Sequence, residues 1–495
     1  MSEQLMRDRI QQAHKYINAN KDRVFQSKWR QRYHFMSECG WINDPNGLIW
    51  YKGKYHFFYQ YNPYSGFWGF MHWGHAVSED MLHWEYHPIA LAPSEEYDDH
   101  LKGGCFSGSA IEHEGRLWIM YTGTCNNGNG FDQTQCVAWS DDGVHFHKYE
   151  GNPVLTAPEG VASDMFRDPK VWKQGEYFYM VCGASRNGMA QALLYRSKDF
   201  LHWEYFNVLA ESRGEWGYMW ECPDFFQLED KFVLMFSPMG GGERTSVYLV
   251  GDFDYDTGKF HWTHAGENDW GFDFYAPQSF VAADGRRVMV AWANCWDWMS
   301  HWKDWGPTYR DGWNGSFNIP REVRLLPDNT LQFLPIRELQ NIRNSETHAE
   351  DILLMDEEKY SVAAGDGVAY ELKVQIDLEK TDAEALEICL RCDDSHKTVC
   401  RLDFAKAQMT VDRTNADNWS RGTTRSVLFL RDSKTLDVHI FSDQSSVEIF
   451  AQNYCNNHAL NVFAGNDQNG IYFKSYGGKV VISSMESYGL NRTIR

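Results

Sequence analysis

Apolar positions fall into two regimes along the chain. At the start, Met6, Ile10, Ala13 and Ile17 recur at helical spacing among charged residues, which predicts an amphipathic helix within 1–30 that packs on the body. Beyond it helical periodicity nearly vanishes, and short aromatic strands alternate with turn residues. One pattern, a turn pair followed by an aromatic-rich strand, appears as GKYHFFYQYNP from Gly53, GRLWIMYTGT from Gly115 and GEYFYMVCGA from Gly175. It returns as DKFVLMFSPM from Asp230 and GRRVMVAWAN from Gly285, in steps of 62, 60, 55 and 55 residues. A second pattern, with aromatics at Trp84, Phe146, Trp203 and Trp262, follows the first four. Five units with several short strands each predict a five-bladed β-propeller over 31–336.

Past Pro335 the pattern changes. Of 21 tryptophans only Trp419 lies beyond Trp313. The segment 337–351 reads as a helical linker, and 352–495 as seven or so short strands of alternating polarity, a β-sandwich. The predicted fold class is therefore all-β, a propeller followed by a sandwich.

Charge and cysteine content narrow the function classes. A formal charge of −21 argues against nucleic acid or an anionic membrane as partner. No run approaches a membrane span, and the first residues lack the apolar core of a signal peptide, so a cytoplasmic protein is expected. Eleven cysteines show no disulfide framework. Cys389, Cys392, His396 and Cys400 have a superficially zinc-like spacing, but the segment reads as a β-hairpin, on which residues three apart face opposite ways. No metal or organic cofactor is expected.

Three repeats carry an acid just upstream of the turn pair: Asp44 nine residues before Gly53, Asp168 seven before Gly175, and Glu221 nine before Asp230. The second repeat has Phe106-Ser107-Gly108-Ser109 there, and the fifth Tyr275-Ala276-Pro277-Gln278. Equivalent repeat positions occupy equivalent places in a propeller, so the acids should converge on one axial funnel. Crowded carboxylates repel, which raises at least one pKa and lets one acid be ionised while another is protonated. Asp-Pro and Asn-Gly are also ordinary turn dipeptides, so spacing alone leaves a structural role open for each.

At these motifs the chain resembles glycoside hydrolase family 32, over nearly its whole length. The resemblance rests on Trp41-Ile42-Asn43-Asp44-Pro45-Asn46-Gly47, Arg167-Asp168-Pro169 and Glu221-Cys222-Pro223, with Gln60, the Trp68…His75 segment, Phe106–Ser109 and the Tyr275 motif in order. VHIFSDQSSVEIF resembles the family's sandwich signature. The resemblance implies Asp44 as nucleophile, Asp168 as transition-state stabiliser and Glu221 as general acid/base of a retaining β-fructofuranosidase. Nucleophile and acid would then stand roughly 5–5.5 Å apart. It further implies that Asn43, Gln60, Trp68, Phe106, Ser107, Arg167 and Tyr275 bind the sugar. Trp73 and Trp313 are added as stacking aromatics, and Arg167 is expected to keep Asp168 ionised.

The expected substrates are sucrose and short fructo-oligosaccharides. Strict sucrose 6-phosphate specificity and fructosyl transfer are the alternatives within the enzyme class, and a non-catalytic sugar-binding propeller is the alternative outside it. No phosphate-binding constellation is identifiable in the sequence. For the second domain a structural or homo-oligomerising role is expected.

Overall fold

The computed structural model describes residues 2–128, 130–297, 306–430 and 433–494. The chain opens with a helix, Ser2–Phe25. Met6, Ala13, Ile17 and Val24 are buried on one stripe and Ile10 packs beside them, as the spacing requires. Glu3 in the first turn and Arg23 in the last complement the helix dipole.

Among the described residues, five small sheets of four or five strands, antiparallel but for one edge of the first, then succeed one another from Gly40 to Pro335. Their innermost strands are Gly40–Tyr51, Gly104–His113, Val161–Gln174, Met219–Leu228 and Tyr275–Val281. In the first four sheets a two-residue hairpin joins the innermost strand to the next, and this is the turn pair that marks the repeat. At Lys52-Gly53 both residues have positive φ (47° and 83°), as at Glu114-Gly115 (54° and 76°), the geometry that matches strand twist. The second repeated pattern is a local cap. Asp80, Asp142 and Asp199 each accept two backbone N–H bonds and hold the Nδ1 of His83, His145 or His202 at 2.7 Å. The ring of sheets closes on itself, because Trp313–Asn314 pairs in parallel with Gly40–Trp41.

Two six-stranded sheets follow and pack as a sandwich around Leu372, Leu386, Ile388, Ile440 and Ile449. The expected helical linker is instead a short 3₁₀ turn, Arg337–Ile342, followed directly by the strand Arg343–Leu354. That strand pairs with Val480–Leu490, and ladder pairing overrides the helical preference of Glu346, Ala349, Glu350 and the leucines that end it. Cys400 lies opposite Ile388 and faces the sandwich core, whereas Cys389 lies opposite Val399 on the other face of the sheet. Among the described residues no helix is long and apolar enough to cross a membrane.

The two domains are joined by buried charges. His34 contacts Asp443 at 2.9 Å and Glu448 at 3.0 Å; Arg321 contacts Asp269 at 2.8 Å and the same Glu448 at 2.5 Å. Asp443 and Glu448 belong to VHIFSDQSSVEIF, so this motif docks the sandwich onto the propeller as well as building a sheet. Burial pushes the His34 pKa down, but the two carboxylates outweigh it and hold it at about 9. The stabilisation this gives is therefore complete below the unfolded value of 6.5 and lost as pH rises through about 9. Glu448→Gln leaves His34 with Asp443 alone and Arg321 with Asp269 alone, and the loss of the charged acceptor they share is expected to cost about 1.5–3 kcal/mol. Calorimetry should show a lower Tm at neutral pH and a gap from wild type that narrows above about pH 9. An unchanged Tm would mean that the cluster does not hold the domains together.

Candidate active site

Each innermost strand is interrupted at the same level. The ladder slips between Ile42 and Pro45, between Phe106 and Gly108, between Arg167 and Lys170, between Glu221 and Asp224, and between Tyr275 and Gln278. In the third, fourth and fifth sheets the inserted pair is Asp168-Pro169, Cys222-Pro223 or Ala276-Pro277. Proline cannot donate to a ladder, so a bulge is where a strand tolerates it. Asp168, Cys222 and Ala276 all adopt left-handed backbone there, with φ of 65°, 48° and 53°, a strained region for a residue with a side chain. In the first sheet the bulge takes Asn43 and Asp44, one residue earlier.

The bulges set out two tiers of side chains. In the residue before each proline stand Asp44, Asp168, Cys222 and Ala276; one position earlier stand Asn43, Arg167, Glu221 and Tyr275. Hydrogen bonds link the sheets at both levels. Ser107 Oγ donates to Asp44 Oδ2 at 2.6 Å, Cys222 Sγ approaches that oxygen at 3.5 Å, and the Cys222 N–H donates to Asp168 Oδ2 at 2.9 Å. In the other tier Arg167 donates to Glu221 Oε1 from Nε (3.1 Å) and Nη2 (2.9 Å), and Tyr275 Oη donates to Glu221 Oε2 at 2.5 Å. Beneath them the buried Lys170–Asp224 pair, at 3.3 Å, bridges the third and fourth sheets.

All three acids line one cavity of about 420 Å³, together with Asn43, Gln60, Trp68, Phe106, Ser107 and Arg167. Asp44 is 8% exposed; its Oδ1 is buried and makes no hydrogen bond among the described residues. Burial raises the Asp44 pKa, opposed by the Ser107 bond and aided by the charge of Glu221. Burial likewise lifts Asp168 to about 7, against the pull of Arg167 and with the repulsion of Glu221 and Asp44.

Four expectations change. Glu221 does not share the register of the two aspartates but sits one residue earlier, in line with Arg167 and Tyr275; counting from the prolines rather than the turn pairs reveals this. Arg167 is engaged with Glu221, and its Nε stands 3.9 Å from Asp168, too far to outweigh burial. Tyr275 does not line the cavity but supports Glu221 from behind. Trp313 is 4% exposed, donates to Ser27 Oγ at 3.0 Å and belongs to the core beneath the N-terminal helix; Trp73 is wholly buried, with its N–H on the Phe106 carbonyl. Neither offers a face to a sugar. Residues missed by the sequence reading include Lys102, Phe131, Gln133, Met239 and Trp296, which line the cavity, and Cys222. Gln133 is the most informative of these, since its Oε1 accepts from Arg167 Nη1 at 3.1 Å. It lies on a strand outside the repeated motif, whereas Cys222 stood within the Glu221-Cys222-Pro223 motif without being given a role.

Comparison with known proteins shows the family. Residues 34–335 match the glycosyl hydrolases family 32 N-terminal domain and 338–489 the family 32 C-terminal domain. The chain belongs to glycoside hydrolase family 32. A sucrose-6-phosphate hydrolase of Zymomonas mobilis is 37% identical over 453 residues, 86% of this chain and 85% of that one. The raffinose invertase of Escherichia coli is 38% identical, covering 85% of this chain and 87% of its own. A β-fructofuranosidase of Bombyx mori solved with sucrose superposes with a TM-score of 0.81 at 31% identity, over 98% of both chains.

The Asp168 environment makes a testable statement about stability. Its folded pKa of about 7 lies above the ordinary 3.8, so the folded protein holds this proton more tightly. That contribution is full below 3.8 and lost as pH rises through about 7. Asp168→Asn has no proton to lose, so its Tm relative to wild type is expected to climb by a few degrees between about pH 4 and pH 8. A constant difference would contradict the burial argument.

Proposed function

We propose that the chain is a retaining β-fructofuranosidase that releases terminal fructose from sucrose and short fructo-oligosaccharides, with Asp44 as nucleophile. The observation that carries this reading is the asymmetry of Asp44: Oδ2 is tied to Ser107, while Oδ1 makes no hydrogen bond among the described residues. A carboxylate whose Oδ2 is held by Ser107 and Cys222, lining the cavity beside Glu221, is oriented for attack on C2 of a fructosyl unit. Glu221 would protonate the departing oxygen and then, as carboxylate, activate the water that releases fructose. The Tyr275 hydroxyl, donor and acceptor both, can partner either state of Glu221. Asp168 would bind fructose hydroxyls, with Asn43, Gln60, Trp68, Phe106 and Arg167 completing the fructosyl subsite.

In this reading each of the five sheets is one blade of a five-bladed propeller within 31–336, and the sandwich buttresses it. A cytoplasmic location fits eleven cysteines that all remain as thiols. The chemistry calls for no metal or organic cofactor.

Glu221→Gln tests the assignment of roles. Turnover of sucrose is expected to fall by about 10²–10⁴-fold, the usual contribution of a general acid. The burst release of one equivalent of a leaving group that needs no proton, which precedes hydrolysis of the fructosyl-enzyme, should slow far less. Equal losses on both substrates would remove Glu221 from the acid role.

A further inference from the structure

The chain is strongly acidic, with 68 acidic residues against 47 lysines and arginines, and one cavity inverts that balance. It has a volume of about 450 Å³ and shares no lining residue with the catalytic cavity. Three parts of the chain meet there: the segment after the N-terminal helix, the sandwich, and the tail beyond the strand Val480–Leu490. Lys28, Arg30, Arg32 and Arg492 line it, and among the described residues no carboxylate does.

The cations are fixed through their backbone. The N–H groups of Arg32 and Tyr33 donate to Asp443 at 2.9 and 3.0 Å, and Ser445 Oγ donates to the Trp29 carbonyl at 2.8 Å. The tail folds back onto the same segment. Thr493 and Ile494 donate their N–H groups to the Arg32 carbonyl at 2.8 and 3.1 Å, and Asn491 donates to the Ile342 carbonyl at 2.8 Å. Arg492 is thereby brought beside Arg32 although the two are far apart in sequence.

Their charge is only partly neutralised. Arg32 meets Asp366 at 2.5 Å, a half-exposed carboxylate that is not part of the wall. The buried Asp443 is taken up by His34 and by the N–H groups of Arg32, Tyr33, His34 and Gln444. Arg492 donates to the carbonyls of Gln31 at 3.2 Å and Ile494 at 3.4 Å, and Lys28 lies 4.2 Å over the Trp29 ring. Neither of these two forms an ion pair among the described residues. Burial lowers the Arg492 pKa, opposed by Asp443 and aided by the charge of Arg32. Like charges thus repel across one cavity, a cost that a bound anion would remove. Most of the remaining wall is carboxamide. Asn344 donates to Asn491 Oδ1 at 2.9 Å and Gln444 to Asn466 Oδ1 at 2.6 Å, so the Nδ2 groups of Asn491 and Asn466 remain as donors.

We propose that this cavity binds a phosphate group, as free phosphate or as the monoester of a small polyhydroxylated molecule. Several converging cations favour a dianion over chloride or a single carboxylate, and guanidinium forks match phosphate oxygens. The carboxamides would take the hydroxyls of an ester. Nucleic acid is not the occupant, because the net charge of −21 repels it. The walls come from three parts of the chain, so the anion clamps the segment after the helix and the tail onto the sandwich and stabilises the folded protein.

Titration calorimetry of the full chain with inorganic phosphate, at constant ionic strength set with chloride, tests the site. Saturable binding of one equivalent is expected, with a Tm that rises by a few degrees at about a hundredfold excess over Kd. Arg492→Gln should weaken binding by about tenfold or more, the worth of a charge-assisted hydrogen bond. Lys28→Ala, an exposed change that spares the fold, should weaken it severalfold. Glucose 6-phosphate distinguishes the two sources. Tighter binding than phosphate, lost in Arg492→Gln, assigns the site to a phosphate monoester, and equal or weaker binding assigns it to free phosphate. No saturable binding of either probe, or phosphate binding left unchanged by Arg492→Gln or by Lys28→Ala, overturns the assignment.

Discussion

The break in each innermost ladder is the constraint on which the site depends. An unbroken strand alternates its side chains between two faces, and consecutive residues cannot both serve one cavity. A bulge suspends that alternation, and in the third, fourth and fifth sheets a proline keeps the ladder from re-forming across it. Residues such as Asn43 and Asp44, or Arg167 and Asp168, therefore reach the same cavity although adjacent in sequence. The left-handed backbone of Asp168, Cys222 and Ala276 is the conformational cost of that arrangement, offset by the bonds that tie each tier across the sheets.

The same construction explains the electrostatics. Three carboxylates share one buried cavity, and a single guanidinium, that of Arg167, pairs with one of them. Burial then dominates for the other two, whose pKa values rise. Ser107 and Cys222, placed by their own bulges, orient Asp44 without neutralising it.

Much of this was legible in the sequence because repetition is a one-dimensional signal. The turn pairs at Gly53 and Gly115 and the aromatic strands after them gave the blade interval and brought the three acids together. The tiers were not legible from the same landmarks, since connections between turn and bulge differ by a residue or two; the prolines at 169, 223 and 277 are the better ruler. Residues outside the repeat, such as Gln133 and Lys102, left no periodic trace. Trp313 misled because a tryptophan after the last repeat looks like a sugar platform, whereas it closes the ring under the helix. The strand Arg343–Leu354 misled because its partner, Val480–Leu490, lies at the far end of the chain.

The division of labour between the tiers, with Asp44 attacking and Glu221 transferring the proton, is most directly tested by trapping the intermediate. Glu221→Gln mixed with a fructoside whose leaving group needs no protonation should form the fructosyl-enzyme but lack the base to hydrolyse it. Mass spectrometry of the digested protein is expected to find one fructosyl residue on the peptide carrying Asp44. A fructosyl group on Asp168 instead, or continued fructose release with no adduct anywhere, would contradict the account.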